Sequence, residues 1–173
     1  GALLRERGPL APALFFALVV PVVDAVSHAH AAGILHRDIK SDNVLLDASQ
    51  YPRLADFGLA KGEDDGGLRT ATGLLMGTPR YMAPELGMGE RATPGSDQYA
   101  LGVLMFEMLA GLPPFDAPQA MAVLRMHIDA PVPPLVNYRP DVPVALESLV
   151  LRALSKQPAA RFQRHLPEPP RRC

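Results

Sequence analysis

The chain has 173 residues, 48% hydrophobic and 20% charged, with a formal net charge of -1. That length and balance fit one domain with a real core and argue against disorder throughout. The near-neutral charge leaves no electrostatic footprint for nucleic acid or an anionic membrane surface, and the single cysteine, Cys173 at the very end, excludes an internal disulfide and fits a reducing compartment, so a cytoplasmic location is expected.

Residues 1 to 12 mix Arg5, Glu6 and Arg7 with Gly8, Pro9 and Pro12, which reads as a short helix or turn leading into a longer helix. No secretory pattern opens the chain, and a start at Gly1 suggests a fragment or a processed product. Phe15, Leu18, Val19, Val22, Val23, Val26 and Ala29 follow helical spacing and predict one apolar stripe on a helix of about 18 residues. The most apolar run, Ala13 to Val23, is interrupted by Pro21 and closed by Asp24. It falls short of the roughly 20 apolar residues a membrane helix needs, so a core helix and no transmembrane segment are expected. Pro21 should kink this helix, and Gly33 should end it as a left-handed cap.

Ile34 and Leu35 then lead into His36-Arg37-Asp38-Ile39-Lys40-Ser41-Asp42-Asn43, which gathers a base, cations and an amide ligand within eight positions. An Asp that accepts a hydroxyl proton, a Lys that neutralises a phosphate and an Asn that offers oxygen to a hard cation suit phosphoryl transfer. Val44-Leu45-Leu46 and Arg53-Leu54-Ala55 flank the turn-rich Asp47-Ala48-Ser49-Gln50, predicting a hairpin that returns Asp56 to the side of the loop. Asp56-Phe57-Gly58 then supplies a carboxylate suited to Mg²⁺. The segment Lys61 to Gly77 is polar, glycine-rich and threonine-bearing, and is expected to be mobile when unmodified.

After Gly77-Thr78-Pro79-Arg80-Tyr81-Met82-Ala83-Pro84-Glu85, Ser96 and Asp97 open the stretch Gln98 to Ala110, in which Glu107 is the only charge. A helix apolar all round is buried, so this one should be the spine of the domain, capped by Gly111 and stopped by Pro113 and Pro114. Helices over Ala117 to Asp129 and Val144 to Ser155 follow, joined by an extended connector carrying prolines 131, 133, 134, 140 and 143. The fragment Gly87-Met88-Gly89-Glu90-Arg91-Ala92 fits a dinucleotide fingerprint in letters only, because no strand precedes it and Pro94 follows. His28, His30, His127 and His165 have no metal-ligand spacing with cysteine and are read as structural.

The three ordered motifs, His36 to Asn43, Asp56-Phe57-Gly58 and Ala83-Pro84-Glu85, resemble those of eukaryotic-like (Hanks-type) serine/threonine protein kinases of the bacterial type. The resemblance implies the large C-terminal lobe of a protein-kinase-like fold, mainly α with short β-hairpins, over residues 1–163, with residues 164–173 as a Pro/Arg-rich tail. It implies that Asp38 is the base for a substrate hydroxyl, Lys40 steadies the transferred phosphate, Asn43 and Asp56 bind Mg²⁺, and Leu45 floors the adenine pocket of ATP. Lys40 with Gly77 and Thr78 looks like the serine/threonine branch, while Ser41 stands where Pro is commoner. Glu85 resembles the acid that pairs with a late Arg, for which Arg161 is the partner, and Asp97 resembles the acid that receives backbone donors from the catalytic loop. Thr70 and Thr72 look like activation-segment threonines whose phosphate would pair with Arg37.

The implied partners are protein substrates bearing Ser or Thr and a kinase dimer partner. A working kinase also needs a Gly-rich loop and a Lys on a neighbouring strand. The only lysines are Lys40, Lys61 and Lys156, none ahead of the loop, so the N-terminal β-rich lobe is read as missing and the isolated chain is expected to turn over little or not at all. Rival readings are a non-catalytic protein-binding lobe and a small-molecule phosphotransferase of related fold, the latter disfavoured by the Gly77 to Glu85 segment.

Overall fold

The computed structural model describes Leu4, residues 8–57 and residues 79–163. Helix α1 spans Pro12–Ala31, with proline at its start where a missing N–H costs nothing. Phe15, Leu18, Val19, Val22, Val26 and Ala29 form its buried stripe, as the spacing predicts, while Val23 is only partly buried. The helix runs on through Pro21 and ends in a Schellman motif. Gly33 takes φ +76°, its N–H donates to the His30 carbonyl at 3.1 Å, and the Ile34 N–H reaches the Ala29 carbonyl at 2.9 Å.

One expectation changes here. The run Ala13 to Val23 is too short to span a bilayer, but the helix continues past Asp24 to 20 residues with mean hydropathy 1.7, long and apolar enough to cross a membrane by length and composition. Its buried stripe nonetheless belongs to the same core as the central helix.

Beyond α1, a 3₁₀ turn at Ser41–Asn43 leads into β1 (Val44–Leu46), which pairs antiparallel with β2 (Pro52–Leu54). The second strand lies one residue earlier than predicted, with Val44 opposite Leu54 and Leu46 opposite Pro52. Ala55 stays in register and gives its N–H to the Asn43 carbonyl at 2.8 Å, but Asn43 belongs to the 3₁₀ turn, so the paired strands end at Val44 and Leu54. The turn is held by the Asp47 carboxylate, which accepts from the Ser49 and Tyr51 N–H groups at 2.9 and 3.0 Å. Among the described residues this is the one sheet.

The short helix α2 (Pro84–Gly87) precedes α3 (Pro94–Ala110). Thr93 opens α3 by donating its N–H to Ser96 Oγ at 3.1 Å, and Gly111, at φ +80°, closes it with an N–H bond to the Glu107 carbonyl at 2.8 Å. Helix α3 is buried along nearly its whole length, with Val103, Leu104 and Phe106 fully inside, as its all-round apolar composition requires. Helix α4 spans Ala120–Asp129 and α5 spans Val144–Ala153. Both are shorter than predicted. Pro118 disfavours helical backbone at Ala117, and the Ser155 N–H folds back to the Arg152 carbonyl at 3.1 Å, tightening the end of α5. The proline-rich connector between them makes a 3₁₀ turn at Leu135–Asn137 that buries Leu135.

The core therefore sits around α3. Helix α1 covers one side and α5 another, and α5 approaches closely at Gly102, where an added Cβ would lie 3.0 Å from Ala153 Cβ. Before α1, the Leu10 N–H donates to the Met108 carbonyl at 2.8 Å and the Leu10 carbonyl accepts from Arg139. The catalytic-type loop thus runs from the end of α1 to the hairpin across the first turn of α3.

Candidate active site

Asp97, in the first turn of α3, is the anchor of the loop. Its carboxylate is buried and accepts the His36 N–H on Oδ2 at 2.8 Å and the Arg37 N–H on Oδ1 at 2.9 Å. His30 Nε2 donates to Oδ2 at 2.7 Å. These donors hold Arg37 at φ +65°, a left-handed conformation that a non-glycine residue keeps only when its surroundings dictate it. His36 is wholly buried. Its Nδ1 faces the Asp38 N–H at 3.3 Å and its Nε2 faces the Ala55 carbonyl at 3.0 Å. That pair of partners selects the neutral ring with the proton on Nε2. Burial pushes its pKa down, outweighing the pull of Asp97 in the opposite direction.

From this base the loop presents Asp38. Its side chain is about half exposed, at 49%. Lys40 Nζ donates to Asp38 Oδ2 at 2.7 Å, and Asn43 Nδ2 donates to the same oxygen at 3.1 Å and to the Asp38 carbonyl at 2.8 Å. Both side-chain contacts fall on Oδ2, and Oδ1 takes neither. The Asn43 amide nitrogen is spent on Asp38, so its oxygen is the atom left for a cation.

The hairpin seats Asp56 directly after a residue bonded to the loop. Ala55, just before it, is bonded to both Asn43 and His36, and Phe57, just after it, packs against the His36 ring at a tilt of 48°, with centroids 4.5 Å apart. Asp56 itself is exposed and takes φ +59°. No three His, Cys, Asp or Glu side chains gather as a ligand set among the described residues. One carboxylate and one amide instead suit Mg²⁺, which keeps waters and phosphate oxygens in its shell. On β1, Leu45 stands 53% exposed.

The segment from Pro79 packs beneath the loop. The Tyr81 hydroxyl donates to the Glu107 carboxylate and meets Ser41 Oγ at 2.9 Å, with the Ser41 N–H at 3.4 Å. Burial and the Glu107 carboxylate push the Tyr81 hydroxyl's pKa up, keeping it protonated. Farther along, Arg161 Nη1 and Nη2 donate to Glu85 Oε1 and Oε2 at 2.7 Å each. Ser96 Oγ adds a bond to Oε1 at 2.8 Å, and Arg161 also donates to the Ser155, Gly95 and Lys156 carbonyls. Burial alone would raise the Glu85 pKa, but the Arg161 guanidinium outweighs it and holds the carboxyl below its ordinary value.

The structure thus brings together Arg37, Asp38, Lys40, Asn43 and Asp97, seats Asp56 next to residues bonded to that loop, and pairs Glu85 with Arg161. Gly58, Thr70, Thr72, Gly77 and Thr78 lie outside the described residues. Sequence reasoning left His30 as merely structural and passed over Tyr81 and Glu107. A signal existed for the last of these, since the sole charge on a buried helix needs a partner.

The protein kinase domain model matches residues 2–165. Serine/threonine-protein kinase PknD of Mycobacterium tuberculosis is 41% identical over 162 residues, 93% of this chain and 24% of that protein. The probable serine/threonine-protein kinase PknB of Lactococcus lactis is 36% identical over 159 residues, 92% of this chain and 25% of that protein. Serine/threonine-protein kinase pkn3 of Myxococcus xanthus is 38% identical over 168 residues, 92% of this chain and 31% of that protein. The chain accordingly spans about a quarter to a third of the length of these relatives, 24 to 31%. With the match extending over nearly its whole length, this chain belongs to the protein kinase domain family.

Proposed function

We propose that this chain is the large lobe of a serine/threonine protein kinase that passes the terminal phosphoryl group of ATP to Ser or Thr hydroxyls of proteins. The observation that carries the reading is the state of Asp38: half exposed, held on Oδ2 by Lys40 and Asn43, with Oδ1 left to take a hydroxyl proton. Lys40 lies beside that oxygen pair, placed to screen a phosphate. The Asn43 oxygen and the Asp56 carboxylate would hold Mg²⁺, and Leu45 would lie under the adenine, which explains an apolar side chain left exposed on β1. Bound Mg²⁺-ATP supplies the phosphoryl group and neutralises its charge. Asp97 and His36 keep the loop in shape, and the segment through Tyr81 offers a shelf for a peptide. A kinase dimer partner and a cytoplasmic setting belong to the same reading.

The test joins a protein kinase's Gly-rich loop and Lys-bearing strands ahead of Leu4 and measures Mg²⁺-ATP-dependent phosphorylation of a Ser/Thr peptide. Transfer is expected from this chimera, with Asp38→Asn slower by about 10²–10⁴-fold, the usual worth of a general base. The 173-residue chain by itself is expected to show little or no turnover over its own Asp38→Asn blank. A chimera whose rate does not depend on Asp38 would overturn the reading.

A further inference from the structure

The segment 79–83 is held from two sides, and on one of them Tyr81 touches the catalytic loop at Ser41. On the other, His127 of α4 is completely buried. Its Nε2 lies 3.0 Å from the Arg80 carbonyl and its Nδ1 lies 2.9 Å from the Tyr99 hydroxyl on α3. A carbonyl can only accept, so Nε2 carries the proton, Nδ1 offers its lone pair and Tyr99 donates. The surroundings select this neutral form. Phe115 and Tyr99 meet the ring edge-on, at 5.0 and 5.6 Å. Lys156 Nζ donates to the Met126 and His127 carbonyls at 3.0 and 2.8 Å and lies 4.3 Å from the Phe115 ring centre. Burial, and after it the Lys156 cation, push the imidazole pKa down to about 4.

The Arg80 carbonyl and the Tyr81 N–H share one rigid peptide plane. Fixing that carbonyl therefore fixes the plane from which the Tyr81 side chain reaches Glu107 and Ser41. Ser41 matters here because it offers Tyr81 both a hydroxyl and an N–H, neither of which a proline would have. Three residues before Ser41 stands Asp38.

We infer that His127 is a positioning residue for peptide substrate: as the Nε2–H tautomer locked by Tyr99, it sets the Arg80–Tyr81 peptide plane and so the height of the shelf beneath Asp38. This rests on the reading of the chain as a peptide-phosphorylating kinase lobe. A side chain that merely filled the core would be replaceable by one of similar volume. A hydrogen-bonding hinge is not, because an apolar substitute removes the ring N–H that the part-buried Arg80 carbonyl accepts.

The experiment uses the chimera described above with His127→Leu, His127→Gln and Tyr99→Phe. His127→Leu is expected to raise KM for the peptide about tenfold, the scale of one lost buried hydrogen bond, with KM for ATP unchanged because Asn43 and Asp56 do not touch this chain of bonds. His127→Gln, whose amide N–H can reach the Arg80 carbonyl, recovers most of the loss, and Tyr99→Phe falls between. Equal rises in both KM values, or no change with His127→Leu, overturn the inference while leaving the kinase reading intact. An inactive parent chimera counts against the kinase reading instead. In either case nitrogen-detected NMR of the unmodified 173-residue chain judges the hinge directly: His127 must carry its proton on Nε2 at pH 7, and a proton on Nδ1 or a doubly protonated ring would sink it.

Discussion

Single side chains in this lobe are chosen for which atom they leave over. Asn43 spends its amide nitrogen on Asp38, His36 spends Nδ1 on a backbone N–H, and Lys40 spends its cation on one carboxylate oxygen. What remains on each defines the chemistry. His127 shows the same logic in a form that titrates. The groups facing it are the Tyr99 hydroxyl on α3, the Arg80 carbonyl and the Lys156 cation. Its ordinary value is 6.5 and the fold takes it to about 4, a difference equivalent to about 3 kcal/mol. Between those values the unfolded chain binds a proton here and the folded chain does not. Stability is therefore full above pH 6.5, falls as the pH drops toward 4, and levels off below. His36 shifts in the same direction, so the parent must be compared with His127→Gln. Urea unfolding at pH 7, 6 and 5 should show the parent losing stability faster than the variant, and identical slopes would contradict the assignment.

Helices here are recognised by their periodicity and placed by their small residues. The stripe on α1 and the all-apolar α3 were legible from spacing, and so were the left-handed glycines at 33 and 111, because each is a local rule about a few consecutive residues. Where the hairpin's second strand stops was not, because Asn43, opposite Ala55, is taken up in the 3₁₀ turn that precedes β1. The contact of α3 with α5 was also illegible. Gly102 is buried in the middle of α3, where an added Cβ would meet Ala153 Cβ and Leu154 Cγ at 3.0 Å. Gly102→Ala should gain about 1 kcal/mol of helix propensity yet lose about 1–3 kcal/mol to overpacking, lowering the urea midpoint. A raised midpoint would mean that α5 yields at no cost.

At the scale of the molecule, a few long-range polar links close the fold around α3. Asp97 ties the loop 60 residues upstream to the first turn of α3, and the Glu85–Arg161 pair joins positions 76 residues apart. Both Glu85 and Arg161 are buried, so removing one leaves the other charged and dry. Arg161→Met should cost about 3–5 kcal/mol in unfolding free energy, and adding Glu85→Leu should return part of it. A double variant as unstable as the sum of the singles would show that the two act independently. The letters alone placed Asp38, Lys40, Asn43 and Asp56 in the short motifs on which the proposed loop chemistry rests, because each motif is a run of neighbouring residues. They also determined which helix would be central, because an apolar surface on every side has nowhere to go but inside. Only the tertiary structure decided that Tyr81 meets Ser41 and Glu107, that His30 joins Asp97, and that His127 reaches Arg80. Those partners lie on different elements, and their meeting depends on how helices pack against one another, a property that no local pattern along the chain records.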